Sequence, residues 1–362
     1  MMSALVTNNN ANHSNVDLLE GKRVQTMRTG VVGYGYWGPN LVRNLARLPE
    51  TELVVICDVC AENRERLTAA HPEIPAVDDL DAMLNDHDLD AVVIASPAPT
   101  HHEIARKVLE AGKHCFVEKP LALTSADAAD LLKLAAYSGL TLMVGHLMEY
   151  HGAIEYLREY IASGELGEVL YVYAQRLNLG KVRAQENAFW SLAPHDISMI
   201  LYLLGEAPDR VSASGASYLR EGVEDVVFAN LHFPSGKTAN VHVSWLDPHK
   251  TRKITIVGSK KMAVFDDMEA TDKIWIYDKG VAPTQALAYE QDLKLRFGDI
   301  LIPHVQLKEP LAIEMAHFAN ACLTGSTPRS DGLDGLRVVQ VLEAVDTSMR
   351  SGGAPVEIAL EV

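Results

Sequence analysis

The chain contains the stretch Thr29-Gly30-Val31-Val32-Gly33-Tyr34-Gly35-Tyr36-Trp37-Gly38-Pro39. An apolar run leads directly into the pattern Gly-x-Gly-x-x-Gly, and the proline suits the first turn of a following helix. Glycines in such a strand–loop–helix unit permit a tight turn and let the backbone approach a pyrophosphate at the helix N-terminus. The stretch therefore predicts a dinucleotide site formed by Gly33, Gly35, Tyr36, Trp37 and Gly38.

Asp58 follows the second predicted strand, 20 residues after Gly38. A carboxylate at this position accepts hydrogen bonds from the ribose hydroxyls of an adenosine and repels a 2′-phosphate. The position predicts NAD as the cofactor, with NADP disfavoured. Two alternatives stay open: the glycines serve packing only and Asp58 is a solvated strand end, or Arg64 or Arg66 on the next helix meets a 2′-phosphate.

From Arg28 to Gly145, short apolar runs alternate with amphipathic segments, which is typical of a parallel sheet wrapped by helices. The predicted strands are continuous apolar runs, as in strands buried on both faces, at residues 29–32, 53–57, 91–95, 114–117 and 141–144. The predicted helices are 39–48, 61–71, 103–111 and 125–138. We therefore assign residues 28–145 to a Rossmann-type α/β domain and residues 1–27, which are rich in asparagine, to a disordered tail.

After Gly145 the apolar and polar residues alternate, which is the period of strands with one covered face. Short turn signals such as Pro234-Ser235-Gly236 predict a largely antiparallel sheet, with strands at 169–177, 211–219, 225–233, 238–246, 253–257, 262–265 and 273–277. Helices are predicted at 154–163, 197–204, 310–323 and 333–349. Residues 146–362 thus form a predicted α+β domain for substrate binding and oligomerisation, and its last helices are free to pack back on the first domain.

Composition excludes several classes of protein. The 362 residues are 48% hydrophobic, which is enough for two cores, and the net charge of −16 disfavours nucleic-acid and anionic-membrane partners. No apolar run reaches membrane-spanning length, and the first residues do not resemble a signal peptide. Four scattered cysteines, including one Cys-x-x-Cys without a second pair, predict a reducing, cytoplasmic location and no redox role.

Polar residues follow two further predicted strands. Ser96-Pro97 ends the third main strand, His101 comes shortly after it, and Glu118-Lys119-Pro120 ends the next strand. Because the carboxyl ends of parallel strands line one crevice, these residues are expected to face the glycine loop. This arrangement resembles the glucose–fructose oxidoreductase, inositol dehydrogenase and MocA (Gfo/Idh/MocA) family, and the resemblance covers the chain from Arg28 to its end.

The resemblance implies an open-faced sheet in the second domain and an NAD-dependent oxidoreductase that interconverts a secondary alcohol and a ketone on a sugar-like ring. It implies that Lys119 is catalytic and stabilises negative charge on the reacting oxygen, and that Glu118 binds the nicotinamide ribose. Ser96, Pro97 and His101 are the other implied cofactor contacts. The alternative for Lys119 is an ordinary surface lysine.

The family's second catalytic pattern is Asp-x-x-x-His at the start of a helix, and the matching stretch here runs from Ser191 to His195. His195 is the candidate general base, since an imidazole suits proton transfer near neutral pH. Ser191 departs from the pattern because a serine supplies no carboxylate. Asp196 points elsewhere on the helix and cannot replace it. The alternative is that Pro194, His195 and Asp196 only begin the helix, with Asp196 complementing its dipole.

The irregular segment before His195 carries basic and polar residues that can pair with phosphate or carboxylate oxygens, including Lys181. The predicted substrate contacts are Asn178, Arg183, Asn187, Trp190 and Ser191. A basic segment on an acidic protein favours a nucleotide sugar or sugar acid as substrate. A free sugar or inositol, or a solvated loop without contacts, stays an alternative. So does a non-catalytic dinucleotide-dependent regulator, which only the missing carboxylate at Ser191 favours.

We expect no metal. His146, Glu149 and His151 lie close in sequence but lack the same-face spacing of His-Glu-x-x-His.

The polar face of the strand at residues 238–246 predicts a surface open to a partner subunit, and relatives often associate through this sheet. We therefore expect a homodimer or homotetramer.

Overall fold

The computed structural model describes residues 26–180, 182–183, 186–283 and 293–359, so the predicted tail at residues 1–25 and Lys181 lie outside it. The first described sheet has six parallel strands in the order β3-β2-β1-β4-β5-β6. Its strands are β1 Met27–Val32, β2 Thr51–Cys57, β3 Ala76–Val77, β4 Ala91–Ile94, β5 His114–Val117 and β6 Leu142–Val144. This order places the ends of β1, β4 and β5 side by side, where a doubly wound sheet binds its ligand.

Helices connect these strands: α1 Gly38–Leu45, α2 Ala61–Ala70, α3 Leu80–Asp86, α4 His101–Glu110 and α5 Ser125–Ser138. Thr124 caps α5 by accepting a hydrogen bond from the Asp127 amide at 3.1 Å. The sequence analysis missed β3 and α3. β3 has two residues, and α3 is a seven-residue helix capped by Asp79, which accepts from the Ala82 amide. Elements this short carry too few periods to be recognised.

The second sheet has nine described strands in the order β14-β13-β12-β11-β7-β10-β9-β8-β15. They are β7 Val169–Leu179, β8 Arg210–Ala216, β9 Val226–His232, β10 Thr238–Ser244, β11 Leu246–Gly258, β12 Met262–Asp266, β13 Ile274–Pro283, β14 Leu293–Leu301 and β15 Val356–Glu357. Every neighbouring pair is antiparallel except β7 and β10. The prediction of a largely antiparallel α+β domain is confirmed, although β14 and β15 were missed.

One face of this sheet is covered by helices and the other is open. The helices of this half are α6 Gly152–Ala162, α7 Ala188–Leu192, α8 Pro194–Leu204, α9 Pro310–Thr324 and α10 Gly332–Arg350. On β10 the side chains of Ala239, Val241 and Val243 are buried beneath them, while Asn240 and His242 on the opposite face are partly exposed. The sheet is therefore open-faced, as the resemblance implied.

The last two long helices pack on the first domain, α9 against α1 and α10 against α5. The rings of Phe116 and Phe318 meet edge to face with centroids 5.6 Å apart. The Val144 amide at the edge of the first sheet donates to the Ser330 carbonyl at 2.8 Å. Both halves of the chain therefore share parts of their cores. Across the described ranges, no helix combines the length and apolarity that crossing a bilayer requires.

Candidate active site

The glycine loop follows β1 as predicted. Gly33 has a φ of +99°, and a Cβ atom there would lie 2.7 Å from the Ala95 carbonyl oxygen. A Cβ atom at Gly38 would lie 2.1 Å from the Gly33 carbonyl oxygen, whereas at Gly35 it would meet no heavy atom within 4 Å. Gly33 and Gly38 therefore keep the turn tight, and Gly35 leaves its backbone accessible to a ligand. The Tyr36 side chain is 96% exposed beside it.

Asp58 is not a solvated strand end. It is 8% exposed, and its Oδ2 accepts hydrogen bonds from the Tyr34 amide at 2.6 Å and from the Asn63 side chain at 3.0 Å. Its Oδ1 accepts from the Cys60 amide at 2.8 Å. The carboxylate thus fixes the glycine loop to the end of β2, and its negative charge lies beside that loop.

The two arginines that follow Asp58 are held differently. Arg64 donates to the carbonyl oxygens of Asp58 and Val59 at 2.8 and 3.1 Å and pairs with Asp78 at 3.2 Å. The Arg66 guanidinium lies over the Tyr34 ring, 5.8 Å from its centroid. The guanidinium of Arg64 is therefore engaged by backbone carbonyls at the end of β2 and by Asp78. The guanidinium of Arg66 is the more available of the two for binding a phosphate.

Glu118 and Lys119 join three parts of the crevice. The Trp37 indole donates to Glu118 Oε1 at 2.5 Å, and Lys119 Nζ donates to the Ser191 carbonyl at 3.2 Å. The glycine loop, the end of β5 and the segment before α8 are therefore brought together, as the sequence predicts for catalytic residues. Burial raises the pKa of Glu118 to about 7 against the effect of Lys119, and burial lowers the pKa of Lys119 although Glu118 opposes this.

His101, the first residue of α4, lies between the ends of β4 and β5. It is buried, and its ring nitrogens contact the carbonyl oxygens of Ser96 at 2.9 Å and Pro120 at 2.7 Å. Both ring nitrogens are thus engaged by the backbone, so the structure gives His101 a positioning contact between the ends of β4 and β5. The Ser96-Pro97 turn leads into a short 3-10 helix, Ala98–Thr100, whose Thr100 hydroxyl bonds to Ser96 Oγ at 2.8 Å. Direct cofactor contacts by Ser96, Pro97 and His101 stay predictions.

His195 lies in the first turn of α8, directly after Pro194. Its Nδ1 is buried without a hydrogen-bond partner among the described residues. Burial lowers its pKa well below the usual value, and the charges of Lys119, Arg176, His146 and Arg252 lower it further. With serine at position 191, His195 is a neutral imidazole in a cationic setting at neutral pH.

Asp196 points away from the crevice, as expected from its place on the helix. Arg176 on β7 donates to it twice, from Nε to Oδ2 at 2.6 Å and from the terminal nitrogen to Oδ1 at 3.0 Å. Both side chains are buried. This bidentate ion pair anchors α8 to the sheet and so fixes the position of His195.

The predicted substrate residues fall into two groups. Asn187 and Trp190 are tied to α10, since the Asn187 amide donates to Asp346 Oδ1 at 3.0 Å and the Trp190 indole donates to Asp346 Oδ2 at 2.8 Å. Arg183 pairs with Glu186 at 3.0 Å. Asn178 at the end of β7 is partly exposed, with a buried Oδ1 that has no partner among the described residues.

A cavity of about 580 Å³ is lined by residues of the segment before α8 and of α10, and Lys119, Ser191 and His195 are not among its lining residues. Its wall includes Glu186, Asn187, Trp190, Glu224, Asp346 and Arg350. The segment predicted to be basic therefore faces mainly carboxylates. Sequence reasoning missed Glu224 and Asp346 because they are far from His195 in the chain and belong to no motif. The Asn187 amide also bonds to Glu224 at 3.1 Å, so one side chain links both acids.

His146 and Glu149 form a buried polar cluster with Asp334 rather than with His151. His146 Nδ1 contacts Asp334 Oδ2 at 2.5 Å and lies 3.5 Å from Glu149 Oε1. The ligand-type atoms of these three residues converge within 4.8 Å. The close His146–Asp334 contact is that of a hydrogen-bonded ion pair, and against the effect of burial it raises the pKa of His146 to about 10. His151 instead caps α6, accepting from the Ala153 amide.

Comparison with known proteins places this geometry in a family. Residues 27–146 match the model of an oxidoreductase family with an NAD-binding Rossmann fold, and residues 154–264 match the Gfo/Idh/MocA C-terminal domain. Among similar proteins, 2,7-anhydro-N-acetylneuraminate hydratase of Escherichia coli is 27% identical over 88% of this chain and 92% of its own length. UDP-N-acetylglucosamine 3-dehydrogenase of Acidithiobacillus ferrooxidans is 29% identical over 90% and 99%.

A solved structure of the Acidithiobacillus dehydrogenase superposes with a TM-score of 0.76 at 28% identity, covering 90% of this chain and 98% of that one. The first family model spans the whole first sheet, and the second runs from α6 into β12. Between them they include the glycine loop, the Glu118-Lys119 turn and His195. The chain belongs to the Gfo/Idh/MocA family of oxidoreductases, with an NAD-binding Rossmann fold in its first half.

Proposed function

We propose that this oxidoreductase uses NAD to interconvert a secondary alcohol and a ketone on the sugar ring of a nucleotide sugar or sugar acid. One observation carries the proposal: Lys119 Nζ donates a hydrogen bond to the carbonyl of Ser191, four residues before His195. A cation for the reacting oxygen and a base for its proton therefore meet at the mouth of the crevice.

The residues present fit a dinucleotide. Gly35 offers an accessible backbone, Asp58 places a carboxylate at the adenosine end, and Glu118 places one near the expected nicotinamide ribose. When bound, the nicotinamide accepts or donates the hydride. The chain's own residues orient the sugar, exclude water and handle the proton.

In alcohol oxidation, His195 takes the proton from the hydroxyl, and Lys119 stabilises the negative charge that grows on that oxygen. Ketone reduction reverses both roles. His195 is suited to the oxidative direction because its lowered pKa keeps it unprotonated at neutral pH. Glu118 lies beside Lys119 and favours its charged form.

The cavity lined by Trp190 and Asp346 is the proposed position of the part of the substrate that does not react. Its carboxylates accept hydrogen bonds from sugar hydroxyls or amides, and Trp190 supplies an apolar wall. Arg183 and Asn178 are the proposed contacts for the nucleotide. The Acidithiobacillus relative, a UDP-N-acetylglucosamine 3-dehydrogenase by name, supports a substrate of this class.

An absorbance assay at 340 nm tests the proposal. The purified protein is offered NAD with a panel of nucleotide sugars, sugar acids, free sugars and inositols, and substrate consumption is followed in parallel by mass spectrometry. We expect NADH to form with a nucleotide sugar or sugar acid. NADH formed only with inositol or a free sugar would favour that alternative. Consumption without NADH would indicate net hydration, as the name of the E. coli relative suggests, and no reaction with any member would favour a regulator.

Cofactor choice is the first quantitative expectation. NAD(H) should bind more tightly than NADP(H), and Asp58→Ala should narrow the gap by about tenfold because the carboxylate no longer repels a 2′-phosphate. Isothermal titration with all four cofactors measures this. Asp86→Ala removes an exposed carboxylate outside the crevice and serves as the control. Tighter NADP(H) binding to the unaltered protein would overturn the assignment.

We further propose a homodimer or homotetramer that forms through the open face of the second sheet. On this face the rings of Phe228 and His242 stack with centroids 4.2 Å apart, and Phe228 is exposed. Light scattering should give at least a dimer at micromolar concentration, and Phe228→Asp should weaken it. Tyr137→Asp, at an exposed site on α5, should not. A monomer would contradict the proposal.

The four free cysteines support the expected reducing, cytoplasmic location.

A further inference from the structure

Arg252 lies opposite Arg176 in the register of β11 and β7. Side chains on a strand alternate between faces, so Arg252 shares the face of Ile254 and Ile256, which are both buried. This is the helix-covered face, and α8 with His195 packs on it. Arg252 belongs to no motif found in the sequence.

The two paired arginines differ in their partners. The Arg176 side chain is 9% exposed, and it donates hydrogen bonds to both carboxylate oxygens of Asp196. The Arg252 side chain is 40% exposed and makes a single hydrogen bond to Asp267 at 3.3 Å. Lys273 shares that carboxylate, with its Nζ 3.5 Å from Asp267 Oδ1. Among the described residues, most N–H donors of Arg252 are therefore left for a ligand.

Charge around His195 points the same way. Its surroundings contain four cations. Arg176 and His146 form ion pairs with Asp196 and Asp334, and Lys119 donates to the Ser191 carbonyl under the influence of the Glu118 charge. Arg252 is the fourth, and its own carboxylate is divided between two cations. Among the described contacts, Arg252 and Lys273 therefore have one carboxylate, Asp267, between them.

We propose that Arg252 binds the carboxylate of a sugar acid and selects the acid over the corresponding neutral sugar. This inference rests on the proposed function and narrows its substrate class. A guanidinium matches a carboxylate with two parallel hydrogen bonds. Arg252 lies opposite Arg176, whose carboxylate partner Asp196 directly follows His195. The anion that Arg252 binds therefore belongs to the reacting ring itself, and the pyrophosphate of a nucleotide lies further out.

Calorimetric titration of the NADH-saturated protein tests this with two probes that differ only at C6, UDP-N-acetylglucosamine and UDP-N-acetylglucosaminuronate. The unaltered protein should prefer the acid by at least about tenfold, and Arg252→Gln should lose about tenfold or more in affinity for the acid. Its affinity for the neutral sugar should stay within about twofold. Arg252→Lys keeps the positive charge but cannot form two parallel hydrogen bonds, so its affinity for the acid should lie between those of the unaltered protein and Arg252→Gln.

Lys253 provides the matched control. It is the next residue, its side chain is 39% exposed, and it pairs with Asp266 at 3.0 Å on the opposite face of the sheet. Lys253→Gln should change neither affinity. The NADH affinity of each variant, measured first, shows that its fold is intact.

The possible outcomes separate this inference from the proposed function. Two results would overturn the role of Arg252 and leave the dehydrogenase proposal standing. One is an equal loss of affinity for both probes in Arg252→Gln, and the other is a preference of the unaltered protein for the neutral sugar. If neither probe binds while an inositol or free sugar reduces NAD in the absorbance assay, the nucleotide-sugar proposal fails together with this inference.

Discussion

Replacing Lys119 with alanine is expected to lower turnover by about a hundredfold or more while leaving NAD(H) affinity within about twofold. In the proposed mechanism the ammonium, held against the Ser191 carbonyl, stabilises charge on the reacting oxygen and takes no part in binding the pyrophosphate. Steady-state rates on the substrate found by the panel, together with cofactor titration, measure the two quantities.

Lys133→Ala is the control for this variant, since Lys133 is exposed on α5 away from the crevice. It should match the unaltered protein in both measurements. Unchanged turnover in Lys119→Ala would remove Lys119 from the mechanism. A joint loss of turnover and cofactor affinity would instead show that the lysine mainly holds the crevice together.

Substituting His195 by asparagine should slow alcohol oxidation by about a hundredfold or more and abolish the acidic limb of its pH profile. Oxidation requires the unprotonated imidazole, so the rate falls only as the pH drops through the pKa of His195. Burial and four nearby cations place that pKa well below 6.5. The unaltered protein should therefore keep its oxidation rate from pH 8 down to at least 6.5, while ketone reduction should improve as the pH falls.

Ser191→Asp tests whether the absence of a carboxylate at position 191 contributes to the low pKa of His195. A carboxylate one turn before His195 favours the imidazolium and raises its pKa, so the acidic limb of oxidation should move to higher pH. Ser191→Asn, which adds a side chain of the same shape without charge, is the control and should leave the limb in place. A limb that persists in His195→Asn would assign the proton to another group, and Lys119 would be tested next.

Most of the fold was predictable because its signals are local. The glycine loop, the continuous apolar runs and the capping residue Thr124 each specify structure within a few residues, and the predicted helix at residues 125–138 has the observed bounds of Ser125–Ser138. The motifs at Glu118-Lys119 and His195 identified residues that the structure brings together. The missed elements, such as the two-residue β3, have too little sequence to show a period.

The chemical setting of the site was harder to predict because it depends on distant contacts. Asp58 and His101 engage the backbone of neighbouring strand ends, which no spacing rule shows. The acidic wall of the cavity comes partly from Asp346 on the last helix. The exposed guanidinium of Arg252 is significant only because β11 pairs with β7, a register that the sequence alone does not reveal.

The hydrogen bond between Val144 and Ser330 has a consequence for how the protein is made. The first domain obtains part of its sheet edge and the ring that packs on Phe116 from residues synthesised near the end of the chain. Because a ribosome synthesises the chain from its N-terminus, this apolar surface stays exposed until the residues from Phe318 to Ser330 have been translated. The last helices thus complete both halves at once, and a nascent chain halted at residue 264, where the second family match ends, would still expose the surface they cover.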